Sequence, residues 1–302
     1  LADWYRPRRR VMRLLSPQQV DQFREDGFLV IENLLDLETV GVLRQRFECL
    51  FRGEFETGIS PDEVNWQVGQ SDPSLTRQIC NGWKADSTIA RTVLRRDLGR
   101  EIAHLANWPG TRLFQDNLLW KPPGARPIGH HQDNAYVGWL TPQEIVSCWM
   151  ALDDTQAQSG TLELIRGSHR WTYSQPDSNF HGPHRYREAM ERAATIEGIA
   201  PDIVSIEIPC GGASFHHGWV WHGSGNNRTT SPRRALVLHG ISSASEFVPE
   251  RLNEGNGPIY GRYKRPDDEQ LDDNHFPILW REDGYRTRDP CPNPAPHNQL
   301  AG

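Results

Sequence analysis

Ile-Gly-His-His-Gln-Asp-Asn, at positions 128–134, is the stretch that decides how the rest of the chain is interpreted. In an extended backbone, residues two apart point to the same face, so His131 and Asp133 would lie side by side while Gln132 points away. An imidazole and a carboxylate on one face can bind the same metal ion. A lone His-x-Asp tripeptide is a weak signal that often occurs by chance, so its weight depends on a third ligand elsewhere.

The best candidate for the third ligand is His222, in Phe-His-His-Gly-Trp-Val-Trp-His-Gly-Ser-Gly at positions 215–225. Two histidines and one carboxylate on one side of an ion form the facial triad of non-haem Fe(II) oxygenases, which leaves the opposite coordination positions open. The same ligands could also hold zinc or another ion in a cupin-like metalloprotein that performs hydrolysis or isomerisation. A third reading is a binding or scaffold protein that has kept the fold without catalysis.

Most of the predicted helices lie in the first third of the chain, and most of the predicted short strands follow them. Apolar periodicity and N-cap residues predict helices at 16–26, 36–51 and 87–105, with Ser16, Asp36 and Ser87 as caps and a break near Asp97. The segment 53–77 is expected to be a long loop. Period-two patterns predict strands at 28–31, 113–121, 145–153, 161–165, 203–208, 213–217, 220–222 and 234–241, the last clear strand. This order predicts a mainly β fold with flanking helices, a sandwich or jelly roll.

Composition limits the partners. The 302 residues carry a net charge of −6, which argues against nucleic acid as the main partner. No apolar run approaches the length of a membrane span, so a membrane partner is not expected either. The five cysteines are scattered and include no Cys-x-x-Cys pair, which predicts reduced thiols in a cytoplasmic protein rather than a disulfide framework. A small molecule is therefore the expected partner.

Several linked motifs together resemble the phytanoyl-CoA dioxygenase (PhyH-like) family of Fe(II)- and 2-oxoglutarate-dependent oxygenases. The motifs occur in the family's order and span roughly residues 16–243; they are Lys-Pro-Pro-Gly at 121–124, His131-Gln132-Asp133, Gly-Ser-His at 167–169, His-Gly-Ser-Gly at 222–225, and Arg233. The resemblance implies a double-stranded β-helix, a cupin-like jelly roll with helices packed outside. It also implies Fe(II) as cofactor, with 2-oxoglutarate and O2 as co-substrates.

The resemblance assigns roles to particular residues. His131, Asp133 and His222 would be the metal ligands. Arg233, eleven residues after His222, would bind the distal carboxylate of 2-oxoglutarate as a bidentate fork, with Ser224, Lys121 and Asn117 as further co-substrate contacts. Because Arg234 follows directly, strand alternation allows only one of the two arginines to point inward.

Residues near the motifs are candidates for the substrate pocket, and packing explains most of them equally well. The pocket candidates are Trp149, Ile128, Gln132, His217 and Trp221. For His217, a packed histidine beside the site is the favoured interpretation. His130 should point away from the metal and lie behind the site or at the surface, and His169 should end a strand. The polar insertion 171–200, with a helix near 185–194, is expected to be a lid that helps to select the substrate.

The expected domain layout is a basic arm at 1–15, one oxygenase domain at 16–287 and a disordered tail at 288–302. The arm lacks an apolar h-region, so it is not read as a secretory signal. The expected activity is oxidation of an unactivated C–H bond in a small natural-product intermediate, with release of succinate and CO2. Asp133 fills the place that halogenases of the superfamily leave for chloride, which favours hydroxylation. An acyl-CoA or lipid hydroxylase of the same family is the alternative.

Overall fold

The computed structural model describes residues 15–172, 180–288 and 290. The predicted basic arm therefore lies outside the described residues except for Leu15, which is buried and donates its backbone N–H to Glu101 at 3.1 Å. The predicted tail also lies outside them, apart from Arg288 and Pro290. Both expectations stay predictions.

Six α-helices occur in the described part of the chain: α1 (Pro17–Asp26), α2 (Leu37–Phe51), α3 (Ser87–Val93), α4 (Arg96–Ala106), α5 (Glu188–Glu197) and α6 (Gly257–Tyr260). Ser16 and Asp36 cap α1 and α2 as predicted, because each side chain accepts a backbone N–H in the first turn. Asp86, not Ser87, caps α3, and the break before α4 falls at Arg95 rather than at Asp97. No helix in this part of the chain combines the length and the apolar character needed to cross a membrane.

Fourteen strands lie among the described residues: β1 (Phe28–Ile31), β2 (Glu63–Val64), β3 (Arg77–Cys80), β4 (Gly110–Lys121), β5 (Ile128–His131), β6 (Leu140–Thr141), β7 (Val146–Ala151), β8 (Leu162–Ile165), β9 (Ile203–Ser205), β10 (Ala213–His217), β11 (His222–Ser224), β12 (Arg233–Ser242), β13 (Glu246–Phe247) and β14 (Ile278–Arg281). Three expectations were wrong: β2 interrupts the predicted loop, β13 and β14 both follow the predicted last strand, and the strand predicted at 220–222 begins only at His222. A turn precedes it, with Val220 N–H bonded to His217 C=O at 2.9 Å.

Two antiparallel sheets build the fold. The larger has the order β1-β10-β7-β12-β4-β3-β2, with β14 also paired to β4, and the smaller has the order β5-β11-β8-β9. A third pairing joins β6 to β13. This two-sheet architecture with helices outside confirms the predicted jelly roll, the double-stranded β-helix.

The side chains of β12 alternate between the two faces of the larger sheet. Leu236 and Leu238 pack into the core shared with α1–α4, whereas Ala235 and Val237 pack into the core between the sheets. His239 continues the second row and lines the cavity between the sheets. Alternation along one strand thus separates the structural core from the candidate site.

Candidate metal and co-substrate site

A cavity lies between the two sheets, and both contribute walls. The larger sheet contributes Asn117, Trp149, His216, Arg233, Val237 and His239, and the smaller contributes Ile128, His131, Leu162, His222 and Ser224. Asp133, just beyond the end of β5, also lines it. The structure therefore brings the predicted ligands and the predicted arginine to one cavity.

The three predicted ligands converge because of strand pairing. His131 and His222 are direct partners across β5 and β11. Gln132 keeps the backbone extended, and Asp133 begins a 3-10 turn at Asp133–Tyr136. Its Oδ1 lies 3.6 Å from Nε2 of His131 and 3.4 Å from Nε2 of His222. The ligand atoms of the three residues all lie within 4.8 Å of one another, a spacing that suits one shared ion.

In His131 and His222, the contact made by Nδ1 determines the state of Nε2, the nitrogen that faces Asp133. Nδ1 of His131 lies 2.9 Å from the carbonyl of Gly129, and Nδ1 of His222 lies 2.9 Å from the carbonyl of Val220. A carbonyl can only accept, so each Nδ1 carries a proton, and in its neutral form each ring keeps an unprotonated Nε2. Two nitrogen lone pairs and a carboxylate oxygen then face one another, an arrangement that a divalent cation stabilises.

The protonation preferences suit metal binding. Burial lowers the pKa of His131 to about 4, so the ring is neutral at physiological pH. Burial alone would raise the pKa of Asp133, but His222 and His239 hold it well below its usual range. Burial opposes protonation of His222, but the charge of Asp133 raises its pKa. A metal binds the neutral imidazole, so metal binding would displace a proton from His222 where that ring is charged. Two imidazoles and an ionised carboxylate form a donor set that fits Fe(II).

The second oxygen of Asp133 contacts a different group of residues. Ser147 donates to Oδ2 at 2.7 Å, and Oδ2 also lies 3.5 Å from Nδ1 of His239 and 3.7 Å from Nε2 of His216. Ser147 and His239 are themselves 2.7 Å apart. The carboxylate therefore turns Oδ1 toward the ligand histidines and Oδ2 toward the larger sheet.

Sequence reasoning missed these residues of the larger sheet. Ser147 pairs directly with both His216 and His239, so the three form one row across β10, β7 and β12. His239 lies on the same strand as Arg233 and an even number of residues away, so alternation could have placed it in the cavity. Nothing in the sequence points to Ser147, whose role depends on which strand lies beside β12.

Arg233 is the inward arginine. Its side chain is buried, its Nε and Nη2 donate to the Gly160 carbonyl at 3.1 and 2.7 Å, and its guanidinium lies 5.6 Å from the Trp149 ring. Arg234 instead binds Asp153 through two nitrogens, at 3.0 and 2.9 Å. Burial lowers the pKa of Arg233 to about 10, so it stays charged at neutral pH. Within the described residues it forms no ion pair with a carboxylate, which leaves a buried cation suited to an anionic ligand.

Two other predicted co-substrate contacts differ in placement. Ser224 lines the cavity, whereas Lys121 does not. The fully buried Lys121 donates to Ser224 Oγ at 2.7 Å and to the Gly225 carbonyl. Burial and the nearby charge of Arg233 lower the pKa of Lys121 well below its usual value. Its Nζ is the donor to Ser224 Oγ, so Ser224 accepts in this contact and its own hydroxyl proton stays available. Asn117 lines the cavity, with Nδ2 3.0 Å from Nε2 of His239.

The substrate-pocket candidates divide in the same way. Trp149 and Ile128 line the cavity, but Gln132, His217 and Trp221 do not, which corrects the expectation for these three. Alternation turns Gln132 away, and its Nε2 donates to the Trp219 carbonyl at 2.6 Å. His217 accepts the Trp219 N–H at 3.1 Å within the turn before β11. Trp221 packs in a separate apolar cluster beneath α5.

The described part of the insertion covers the metal face. Backbone bonds from Gly129 to Phe180 (2.9 Å) and from His130 to Tyr186 (2.6 Å) attach it along β5. Phe180 lines the cavity, and its ring centroid lies 4.5 Å from that of His131. The expected lid includes residues 173–179, which lie outside the described residues.

A partly buried ionic cluster around Glu163 also holds this segment. Glu163 accepts two hydrogen bonds from Arg187, at 2.9 and 2.8 Å, and one from the Tyr186 hydroxyl at 3.2 Å. His130 is buried rather than at the surface, with Nε2 3.1 Å from Glu163. Burial opposes ionisation of Glu163, but His130 and Arg187 lower its pKa to about 2.

The chain is similar to known iron- and 2-oxoglutarate-dependent proteins in sequence and in fold. The family model for phytanoyl-CoA dioxygenase (PhyH) matches residues 23–235. An Arabidopsis thaliana phytanoyl-CoA dioxygenase is 25% identical over 264 residues, covering 76% of this chain and 89% of the relative. A probable alpha-ketoglutarate-dependent hypophosphite dioxygenase of Stutzerimonas stutzeri is 25% identical over 259 residues, covering 82% and 84%. The epimerase SnoN, solved with Fe3+, alpha-ketoglutarate and nogalamycin RO, shares the fold at a TM-score of 0.66 and 19% identity, covering 87% of this chain and 98% of SnoN.

Proposed function

The chain belongs to the phytanoyl-CoA dioxygenase (PhyH) family of non-haem iron, 2-oxoglutarate-dependent dioxygenases, and on that premise we propose the residues that perform its reaction. His131, Asp133 and His222 bind Fe(II), and Arg233 and Ser224 bind the distal carboxylate of 2-oxoglutarate. The observation that supports this assignment best is the convergence of three metal-binding lone pairs beside a buried guanidinium that forms no ion pair within the described chain.

Each residue of the chain has a defined task in this proposal. When bound, iron couples the decarboxylation of 2-oxoglutarate to succinate and CO2 with insertion of one oxygen atom of O2 into a substrate C–H bond. Arg233 neutralises the buried carboxylate, and Ser224 donates its free hydroxyl proton to it while Lys121 holds the oxygen in place. Phe180 and Trp149 limit the access of water to the cavity.

The proposed substrate is a small natural-product-like molecule. Leu119, Leu162 and Val237 add apolar walls to the two aromatic rings of the cavity, which suits a carbon skeleton rather than a highly charged ligand. Nogalamycin RO, which is bound in the SnoN complex, is a molecule of this kind. Asp133 as a third protein ligand favours hydroxylation or another oxidation over halogenation. The proposal includes no nucleic-acid or membrane partner.

We also keep the cytoplasmic location as a proposal. Its support is that Cys49, Cys80, Cys148 and Cys210 are free thiols in the described chain. Of these, Cys80 and Cys148 are buried, and burial raises the pKa of each thiol, which makes them unreactive.

The test is a titration of 2-oxoglutarate into anaerobic, Fe(II)-loaded protein, followed by visible absorption. A metal-to-ligand charge-transfer band is expected, and it should be absent in His131→Ala. Succinate release in the presence of O2 would then be screened against natural-product scaffolds and against acyl-CoA thioesters in parallel. Release with thioesters alone would contradict the proposed substrate class. If the iron-loaded protein binds no 2-oxoglutarate, the proposed co-substrate site is wrong. The hypothesis of a cupin-like metalloprotein would then be favoured.

A further inference from the structure

We propose that Asn117, His239 and Ser147 form a directional hydrogen-bond chain that positions Asp133, so that only its Oδ1 is presented to the metal. The inference rests on the proposed function in one respect, the assignment of Asp133 as a ligand. The three residues would be positioning residues, because they act on the metal through Asp133 rather than by binding it.

The chain runs across three neighbouring strands of the larger sheet. Nδ2 of Asn117 (β4) lies 3.0 Å from Nε2 of His239 (β12). Nδ1 of His239 lies 2.7 Å from Oγ of Ser147 (β7), and Ser147 Oγ lies 2.7 Å from Oδ2 of Asp133. Ser147 and His239 are direct cross-strand partners, so regular strand pairing fixes their spacing.

The direction of every bond follows from the carboxylate. An ionised carboxylate only accepts, so Ser147 must donate its single hydroxyl proton to Asp133. Ser147 Oγ can then only accept from His239, which places a proton on Nδ1. The amide nitrogen of Asn117 faces Nε2 of His239 at 3.0 Å and can only donate, so Nε2 is the acceptor of this bond. Each group in the chain thus has one consistent role.

The consequence for metal binding lies in the rotation of the Asp133 carboxylate. With Oδ2 held by Ser147 and Oδ1 facing Nε2 of His131 and His222, the carboxylate can offer one oxygen to an ion. A carboxylate free to rotate could offer both oxygens and occupy a coordination position that the co-substrate and O2 need. Ser147 is fully buried on a central strand, which suits a group that must hold a ligand rigidly.

Ser147→Ala removes the donor, and Ser214→Ala is the matched control. Ser214 is equally buried on the adjacent strand β10, and its hydroxyl has no hydrogen-bond partner in the described chain. Binding of Co(II) to the apo-protein, by calorimetry and by its visible d–d spectrum, reports the site without turnover. Ser147→Ala is expected to weaken Co(II) binding roughly 10-fold or more and to change the spectrum, and Ser147→Thr should restore both. Ser214→Ala should stay within about 2-fold of wild type.

Asn117→Leu keeps the test valid if Ser147→Ala does not fold. It removes the far end of the chain at a partly exposed position, so a smaller loss, on the order of 3-fold, is expected with a spectral change of the same sign. Folded Ser147→Ala and Asn117→Leu proteins that match Ser214→Ala in affinity and spectrum would overturn the chain. Wild-type protein that fails to bind Co(II), or His131→Ala that binds it normally, would instead overturn the proposed metal site.

Discussion

Ser147 donates a 2.7 Å hydrogen bond to the oxygen of Asp133 that is turned away from His131 and His222. The two oxygens of the Asp133 carboxylate therefore have different partners even without a bound ion: Oδ2 contacts Ser147, and Oδ1 faces the two histidines. Because Ser147 belongs to the central strand β7, the larger sheet sets the orientation of a ligand that comes from the end of β5 in the smaller sheet. The relationship makes the metal site a property of both sheets.

Replacing Arg233 by leucine should specifically weaken co-substrate binding. A charge-assisted hydrogen bond is worth about 1.5–3 kcal/mol, so the KM for 2-oxoglutarate is expected to rise roughly 10- to 100-fold in Arg233→Leu. Arg234→Leu is the neighbouring control, since Arg234 binds Asp153 outside the cavity. That variant should lower the melting temperature and leave this KM within about 2-fold. An equal rise in KM in both variants would contradict the assignment of Arg233.

Lys121 should act on the co-substrate only through Ser224. Lys121→Met frees the Ser224 hydroxyl from its 2.7 Å contact, so the KM for 2-oxoglutarate should rise less than in Ser224→Ala. The double variant should be no worse than Ser224→Ala alone, because the second change removes a group whose target is already gone. Measured KM values for the four proteins give this cycle. Additive effects would mean that Lys121 binds 2-oxoglutarate itself, as the sequence suggested.

Phe180→Ala should admit water and loosen the coupling between the two half-reactions. The ring lies 4.5 Å from that of His131, so its removal exposes the metal face without touching Arg233. More succinate should form per molecule of oxidised substrate, while the binding constant for 2-oxoglutarate stays unchanged. Phe180→Tyr keeps the ring and should remain coupled. Unchanged coupling in Phe180→Ala would show that other groups exclude water.

Glu163→Gln should reduce stability in a pH-dependent way. Since the pKa of Glu163 falls from 4.5 to about 2 in the folded chain, ionisation favours folding above its unfolded pKa. That contribution, at most about 3 kcal/mol, is fully present near pH 7 and is lost as pH falls from about 4.5 through 2. Urea unfolding of wild type and Glu163→Gln should therefore differ at pH 7 and converge near pH 2. The solvent-facing Glu188, paired with Arg185 at 3.4 Å, is the control: Glu188→Gln should change stability by less than about 1 kcal/mol.

Local patterns in the sequence predicted the features that depend on one strand or one helix. Helix caps fixed the starts of α1 and α2, and alternation predicted that one of Arg233 and Arg234 points inward. The structure places Arg233 in the cavity, and it places His131, Asp133 and His222 together. Each of these inferences needs only the spacing of residues within a short segment, together with a family pattern.

Features that depend on neighbouring strands could not be predicted in the same way. Ser147 acquires a role only because β7 lies between β10 and β12, an order that the sequence does not state. Trp221 was a candidate for the substrate pocket, yet it packs beneath α5, and His217 is a packed histidine that accepts the Trp219 N–H in the turn before β11. Lys121 was expected to contact the co-substrate, but it contacts Ser224, which lines the cavity while Lys121 does not.

Strand β5 lies at the edge of the four-stranded sheet, and its partner β11 contributes the opposing histidine, so an ion shared by the pair would act as a cross-link. Because the metal binds only the folded edge, occupancy of the metal site opposes local unfolding of β5. Metal at 100 times its dissociation constant adds about 2.7 kcal/mol to the free energy of unfolding. Amide hydrogen exchange at Gly129 and His130, whose N–H groups bond to Phe180 and Tyr186, should slow when metal binds. The metal would in this way also stabilise the attachment of the segment that covers it.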